Sequence, residues 1–235
     1  EGTLRVLRAA RSSGVQRVVL TSSFAAVGYG HGHRSKPLTE ADWSNSSARL
    51  SPYVKSKLFA EQAAWDFSTK SGLELSVINP VFILGPALSR DYSSSVLLIK
   101  NMIDGNLKKV PRISFGIVDV RDVADLQIRA MTNPAAAGQR FIAAAGASMT
   151  MKEIGETVVQ SLPDPRSMQQ PDELPNWMVR IASIWKPEVR QFTGELGLPR
   201  HCSNEKARTL LEWRPRSNEE AIQSCVRSLL ALEQQ

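Results

Sequence analysis

Gly14-Val15-Gln16-Arg17-Val18-Val19-Leu20-Thr21-Ser22-Ser23, residues 14–23, is the stretch that decides the architecture. The residues before it, Glu1 to Arg11, put Leu4, Val6 and Leu7 on one side and Arg5, Arg8 and Arg11 on the other, the division expected of a helix lying on a core. Gly14 can take the left-handed conformation that ends such a helix. Gln16 to Thr21 is short, apolar and β-branched, which predicts a strand buried on both faces. Helix, glycine, buried strand is the order of a parallel α/β sheet, and hydroxyl residues at the strand's C-terminal end fall where such sheets bind ligands.

The pattern repeats downstream. Ser22 to Leu50 is rich in Gly, Ser, His and Pro and follows neither the helical nor the strand period, so it predicts a long irregular connection. Pro52 suits a first helical position, and Tyr53 to Lys70 offers Leu58, Ala60, Ala64 and Phe67 as a buried stripe before Gly72 stops it. Leu73 to Ile78 predicts a second parallel strand that runs into Pro80-Val81-Phe82-Ile83-Leu84-Gly85-Pro86 on the same sheet edge. Helices are expected over 93–105 and 123–131, and strands over 113–118 and 140–145. Thr150 with Glu153, and Ser217 with Glu220, form capping boxes for two later helices, with Pro-punctuated helices near 177–185 and 203–211 between them. The expected division is residues 1–160, an α/β domain with interleaved lobe segments, and residues 161–235, a mostly helical lobe.

Composition narrows the function classes. With 42% hydrophobic and 22% charged residues, 14 Gly and 13 Pro in 235, the chain is neither collagen-like nor low-complexity. No apolar stretch approaches the ~18 residues that cross a bilayer, and no signal-peptide core follows Arg5 and Arg8, so a cytoplasmic address without membrane insertion is expected. The net charge of +6 comes from scattered residues rather than a run, which argues against a nucleic-acid partner. Cys202 and Cys225 are too few for a disulfide framework, and His31 and His33 have no carboxylate or thiol at ligand spacing, so no metal is expected. Trp43, Trp65, Trp177, Trp185 and Trp213 are dispersed and predict core packing. Asp119, Arg121 and Asp122 predict a charged network at a helix start.

Tyr53-Val54-Lys55-Ser56-Lys57 carries the chemistry. Residues four apart share a helix face, so a phenol and an ammonium project together. A neighbouring ammonium favours the phenolate and makes the phenol a usable proton donor and acceptor. Thr21-Ser22-Ser23 adds hydroxyls at the end of the first strand, where one could donate to a carbonyl oxygen.

Val18 to Ser23, Pro52-Tyr53 through Lys57 with Ala60-Glu61-Gln62, and Pro80 to Pro86, in that order and spacing, resemble an extended short-chain dehydrogenase/reductase. That group lies within the NAD-dependent epimerase/dehydratase superfamily, and the likeness is strongest to its dihydroflavonol-4-reductase-like branch. Ile117 to Ala124 and Lys206 to Pro215 extend the resemblance over essentially the whole chain. It implies a Rossmann-type fold, with residues 1–160 the C-terminal part of the dinucleotide-binding domain, NADP or NAD as cofactor, and reduction of a small-molecule carbonyl, aldehyde or ketone, to an alcohol. Tyr53 would be the general acid, and Lys57 would support its phenolate and hydrogen-bond the nicotinamide ribose. Ser23 matches the serine that orients the carbonyl, Ser22 falling one residue earlier in the motif. Thr21, Ser22, Tyr53, Lys57, Pro80, Val81, Phe82, Ile83, Ser94 and Ser95 would line the cofactor, and Phe24, Arg90 and Tyr92 the substrate. A homodimer through the helices at 1–11 and 53–70 is a further implication.

Two alternatives remain open at this level: a nucleotide-sugar epimerase or dehydratase of the same superfamily, and a non-catalytic dinucleotide-binding protein. The former usually carries an Asn and a Tyr before the Gly-Pro, where this chain has the apolar run Val81 to Leu84. The resemblance also implies a glycine-rich turn between a first strand and first helix. Gly28-Tyr29-Gly30-His31-Gly32 does not supply it, because it follows the serines and opens no helix. The chain is therefore expected to hold the catalytic half of an N-terminally incomplete Rossmann domain. Its strand at Val18 to Thr21 should lack a sheet neighbour, with association and no turnover by this polypeptide alone as consequences.

Overall fold

The computed structural model describes residues 1–165, 169–185, 193–194, 196–198 and 200–234. In chain order these form α1 (Gly2–Ser12), β1 (Arg17–Thr21), α2 (Pro52–Ser71), β2 (Glu74–Pro80), β3 (Phe82–Leu84), α3 (Ser94–Ile103), β4 (Lys109–Pro111), β5 (Ser114–Phe115) and β6 (Ile117–Asp119). There follow α4 (Val120–Thr132), β7 (Arg140–Ala143), β8 (Met149–Thr150), α5 (Met151–Gln160), β9 (Asp172–Leu174), α6 (Asn176–Trp185), α7 (Glu205–Leu210) and α8 (Asn218–Glu233). No described helix is long and apolar enough to cross a membrane.

The chain divides into two compact units. One comprises Glu1–Val81, Asp122–Ala144 and Cys202–Arg214; the other comprises Phe82–Arg121, Ala145–His201 and Pro215–Gln235. The backbone leaves the first unit at Phe82, returns to it at Asp122, leaves again at Ala145 and returns at Cys202.

The first unit is a parallel α/β layer. β2 lies between β1 and β7, with Val18 opposite Leu75, Leu20 opposite Val77, and Val77 opposite Arg140. Central β2 is buried throughout after Glu74. β1 is not buried on both faces as its sequence suggests: Arg17 to Leu20 are half-buried and Thr21 is exposed, because among the described residues β1 pairs on one side only. Leu7 of α1 and Ala64 of α2 close a core over Leu73, Leu75 and Val77. The α2 stripe also differs in detail, its fully buried positions being Val54, Leu58, Glu61 and Ala64, with Ala60 and Phe67 half-buried.

Caps set the helix bounds where the sequence placed them. Ser51 accepts from the Val54 amide ahead of Pro52, and Gly72 ends α2 at φ 70°, a conformation that costs glycine nothing. Both capping boxes form, at Thr150/Glu153 and Ser217/Glu220.

Among its described residues the second unit has three two-stranded ribbons, β3 with β6, β4 with β9 and β5 with β8. Its core joins Leu84, Ile99, Ile117, Ile154, Ile222 and Val226 from β3, α3, β6, α5 and α8. Asp119 is fully buried and takes hydrogen bonds from the Arg121 backbone, Nε and Nη2 at 2.6–2.9 Å, the structural network expected at this helix start. Gly85, at φ 112°, lies so close that a Cβ there would sit 2.9 Å from Asp119 Oδ1. The tryptophans do not all pack in a core. Trp213 is buried and its Nε1 donates to the Asp122 carbonyl, whereas Trp177 and Trp185 stand exposed on the outer face of α6. That face repeats apolar residues at the helical period, which is why sequence alone reads it as core.

Candidate active site

Strand alternation decides which hydroxyl is available. Leu75, Val77 and Asn79 of β2, and their β1 and β7 register mates, face α2, and on β1 that parity leads from Val18 and Leu20 to Ser22. Ser22 is buried and its Oγ donates to Glu61 Oε2 at 2.5 Å. Thr21 has the opposite parity and its Oγ1 accepts from Gln127 Nε2 on α4 at 2.5 Å. Ser23, just past the strand, is extended and begins the 3-10 turn Phe24–Ala26, its Oγ accepting from the Ala25 amide at 3.1 Å. That bond leaves the Ser23 hydroxyl proton free to be donated. Tyr53 Oη lies 3.5 Å from the same Ser23 Oγ.

Tyr53 and Lys57 occupy the first turns of α2. Tyr53 is 58% exposed, so its hydroxyl is open to a ligand rather than sealed in the fold. Lys57 is half-buried and holds no hydrogen bond or ion pair with any described residue. The positive end of the α2 dipole adds to the ammonium in favouring negative charge at this corner. The loop beneath is fastened by Ser44, which donates to the Ala25 carbonyl and accepts from the Tyr29 amide, both at 2.8 Å.

The other expected residues are placed as follows. Pro80 ends β2 opposite Ala143, Val81 follows it half-buried, and Phe82 and Ile83 belong to β3. Ser95 is buried and donates its only hydroxyl proton to the Ile83 carbonyl at 2.6 Å, so it cannot also donate to a phosphate. Ser94 is exposed and makes no hydrogen bond through its side chain to a described residue. Phe24 is not at the surface where a substrate would lie; it is 7% exposed in a core with Val27, Leu38 and Ile142. Arg90 is turned to the end of α8, where Nε and Nη2 donate to the Leu232 carbonyl. Tyr92 lines a cavity of about 240 Å³ in the second unit together with Ile83, Leu84 and Gly85. The His31 ring contacts the Val27 carbonyl at 3.1 Å, and no cluster of three or more potential metal ligands occurs among the described residues.

One group escaped the sequence reading. Glu61 Oε2 takes Asn79 Nδ2 at 2.6 Å, and Oε1 takes Arg140 Nε at 2.6 Å and Trp65 Nε1 at 3.4 Å. Arg140 also donates to the Glu40 and Asp42 carbonyls and lies 3.8 Å from the centre of the Trp43 ring. The available signal was spacing, since Tyr53, Lys57 and Glu61 fall at i, i+4 and i+8 on one helix.

The model of the "NAD dependent epimerase/dehydratase family" matches residues 1–144, well over half of the chain. The chain belongs to this family. Cinnamoyl-CoA reductase CAD2 of Medicago truncatula is 39% identical over 150 residues, 60% of this family member and 45% of that enzyme. The NADPH-dependent methylglyoxal reductase GRE2 of Saccharomyces cerevisiae is 28% identical across 99% of this chain and 69% of its own. The crystal structure of yeast Gre2 complexed with NADPH superposes at a TM-score of 0.79, with 26% identity over 99% of this chain and 70% of that one. This member of the epimerase/dehydratase family thus spans from under half to about two thirds of the length of the curated relatives it matches. The parallel α/β architecture expected from residues 14–23 is the fold these structures share.

Proposed function

We propose that the protein is a reductase that uses NADPH or NADH to convert the carbonyl of a small aldehyde or ketone to an alcohol, or that of a thioester to an aldehyde with release of the thiol. The observation that carries this reading is the 3.5 Å approach of Tyr53 Oη to Ser23 Oγ, with Lys57, which has no partner among the described residues, one turn further along α2. The names of the relatives support it, being those of cinnamoyl-CoA and NADPH-dependent methylglyoxal reductases.

The residues present fit the nicotinamide end of such a cofactor. Lys57 and Tyr53 offer a cation and a hydroxyl for the ribose, with Pro80 and Val81 at the end of β2 in the same unit. When bound, the cofactor supplies the hydride. Ser23 donates its free proton to the carbonyl oxygen and so orients and polarises it. Tyr53 delivers the proton that the developing alkoxide requires, and Lys57 offsets the charge left on the phenolate. A cytoplasmic location and a homodimer through α1 and α2, which expose Val6 and Phe59, complete the reading.

The test uses the protein expressed from its complete reading frame. Loss of NADPH absorbance is followed with methylglyoxal and with a cinnamoyl thioester. Tyr53→Phe is expected to remove at least ~100-fold of turnover while cofactor binding, read by fluorescence, persists. Undiminished turnover in that variant overturns the assignment. Nucleotide-sugar epimerisation without net NADPH consumption would establish the epimerase alternative instead.

A further inference from the structure

The cluster under the Ser23–Tyr53 pair is built in a way the reaction alone does not require. Glu61 is 1% exposed and Asn79 fully buried, and one side of each is committed to the other. The second Asn79 Nδ2 proton goes to the Ser23 carbonyl at 3.1 Å, whose other partner is the Ala26 amide at 2.9 Å. Both groups facing the Asn79 amine are acceptors, so its orientation is set even though Asn79 Oδ1 has no hydrogen-bond partner. Glu61 meanwhile fixes Ser22 from below, and Arg140 holds Glu61 from the side.

We propose that Glu61 is a positioning residue: through Asn79 it clamps the Ser23 turn so that Ser23 Oγ stays aimed at Tyr53 Oη. The proposal rests on reading Ser23 and Tyr53 as the reacting pair. The direction of the hydrogen bonds makes the link specific. An amide at position 61 would present a proton donor where Asn79 now meets an oxygen. Asn79 would then turn its Oδ1 toward that donor and, in turning, face the Ser23 carbonyl with Nδ2 withdrawn. A buried carboxylate that only filled space would be served as well by apolar packing, and a buried ion pair by itself is weak evidence for stability. What an apolar substitute cannot do is hold one carbonyl at one place.

The test compares Glu61→Gln, Asn79→Ala and the double variant in the protein expressed from its complete reading frame. Amide hydrogen exchange is measured first, since it needs no activity. Faster exchange confined to residues 22–27 is expected in both single variants, with β1 and β2 amides at Val18 to Leu20 and Leu75 to Ile78 still protected. In steady-state assays kcat is expected to fall about ten- to hundredfold while KM for the carbonyl changes less than about twofold. The double variant should be no worse than the weaker single, because both cut one link. Unchanged exchange at 22–27, exchange that rises equally through β1 and β2, or additive losses each overturn the clamp. If the parent protein reduces no carbonyl yet exchange responds as expected, the reductase reading fails and the clamp stands.

Discussion

Removing Arg140 isolates the energetics of the buried pair from its geometry. Its side chain is 8% exposed and that of Glu61 is fully buried, with Nε to Oε1 at 2.6 Å. Arg140→Leu would leave Glu61 without its cation and the Glu40 and Asp42 carbonyls without their donors. Breaking one side of a buried pair costs about 3–5 kcal/mol. Glu61 retains Ser22 and Asn79 as donors, and the two carbonyls lie on a loop that can turn to water, so the lower end, about 3 kcal/mol, is expected. In a chain of this length each kcal/mol shifts the melting temperature by about 2–4 °C, giving a drop of roughly 6–12 °C. Urea unfolding and a thermal scan on the same preparation measure it. The double variant Arg140→Leu/Glu61→Leu should recover part of the loss, because an apolar pair relieves the unpaired buried charge, while Ser22, Asn79 and Trp65 are left without their acceptor. Turnover should not recover with it, since the Asn79 link is gone. A single-variant loss under about 1 kcal/mol, or a double variant no more stable than Arg140→Leu, would refute this account of the pair.

Gly28→Ala should destabilise by about 1–3 kcal/mol, because the new Cβ would lie 2.2 Å from Phe24 Cε1, in a ring buried beside the Ser23 turn; an unchanged melting temperature would contradict it. Burial pushes the thiols of Cys202 and Cys225 up to about 12, so near pH 8 the native protein should react with a disulfide reagent only after unfolding, and rapid labelling of both would be against it. For Asp119, burial raises the carboxyl, but hydrogen bonds and charge from Arg121, with Arg216, outweigh it and hold the group below 3.8. A depressed folded value means its contribution is complete above the ordinary carboxylate range and lost as pH falls through the depressed value; Asp119→Asn should flatten that acid limb of stability, and an identical limb would count against it. Sedimentation of the complete protein should show a dimer that Phe59→Glu dissociates, since Phe59 is 52% exposed on α2; a monomeric parent would end that reading.

The fold was legible because its deciding features are local. Gly14, Gly72, Thr150 with Glu153 and Ser217 with Glu220 each fix an element end through their own backbone geometry or side-chain hydrogen bonds. The points at which the backbone changes unit were not legible, because one of them falls between Val81 and Phe82 inside one apolar run. Phe24 and Trp177 show the same limit from opposite sides. A phenylalanine after two serines looks like a ligand contact but packs on Gly28, and a tryptophan on an apolar helix stripe looks like core but faces solvent. Hydrophobic pattern reports which residues share a face, and tertiary packing decides what that face meets.

The site divides along the same line. Tyr53 and Lys57 could be found by spacing because the helix itself puts them together, whereas the roles of Ser22 and Ser23 needed the sheet. Strand parity sends Ser22 inward to Glu61 and leaves Ser23, two residues beyond the last rung, to turn outward toward Tyr53. The α2 stripe that carries Tyr53 and Lys57 at its open end therefore carries Glu61 into the core two turns later. Asn79, on the neighbouring strand with the same parity as Leu75 and Val77, returns the connection to the Ser23 carbonyl. The hydroxyls of Tyr53 and Ser23 are thus tied through one helix by two independent routes, backbone for Tyr53 and side chain for Ser23. Any change that rotates α2 about its axis must move both together, and any change confined to Asn79 must move one alone.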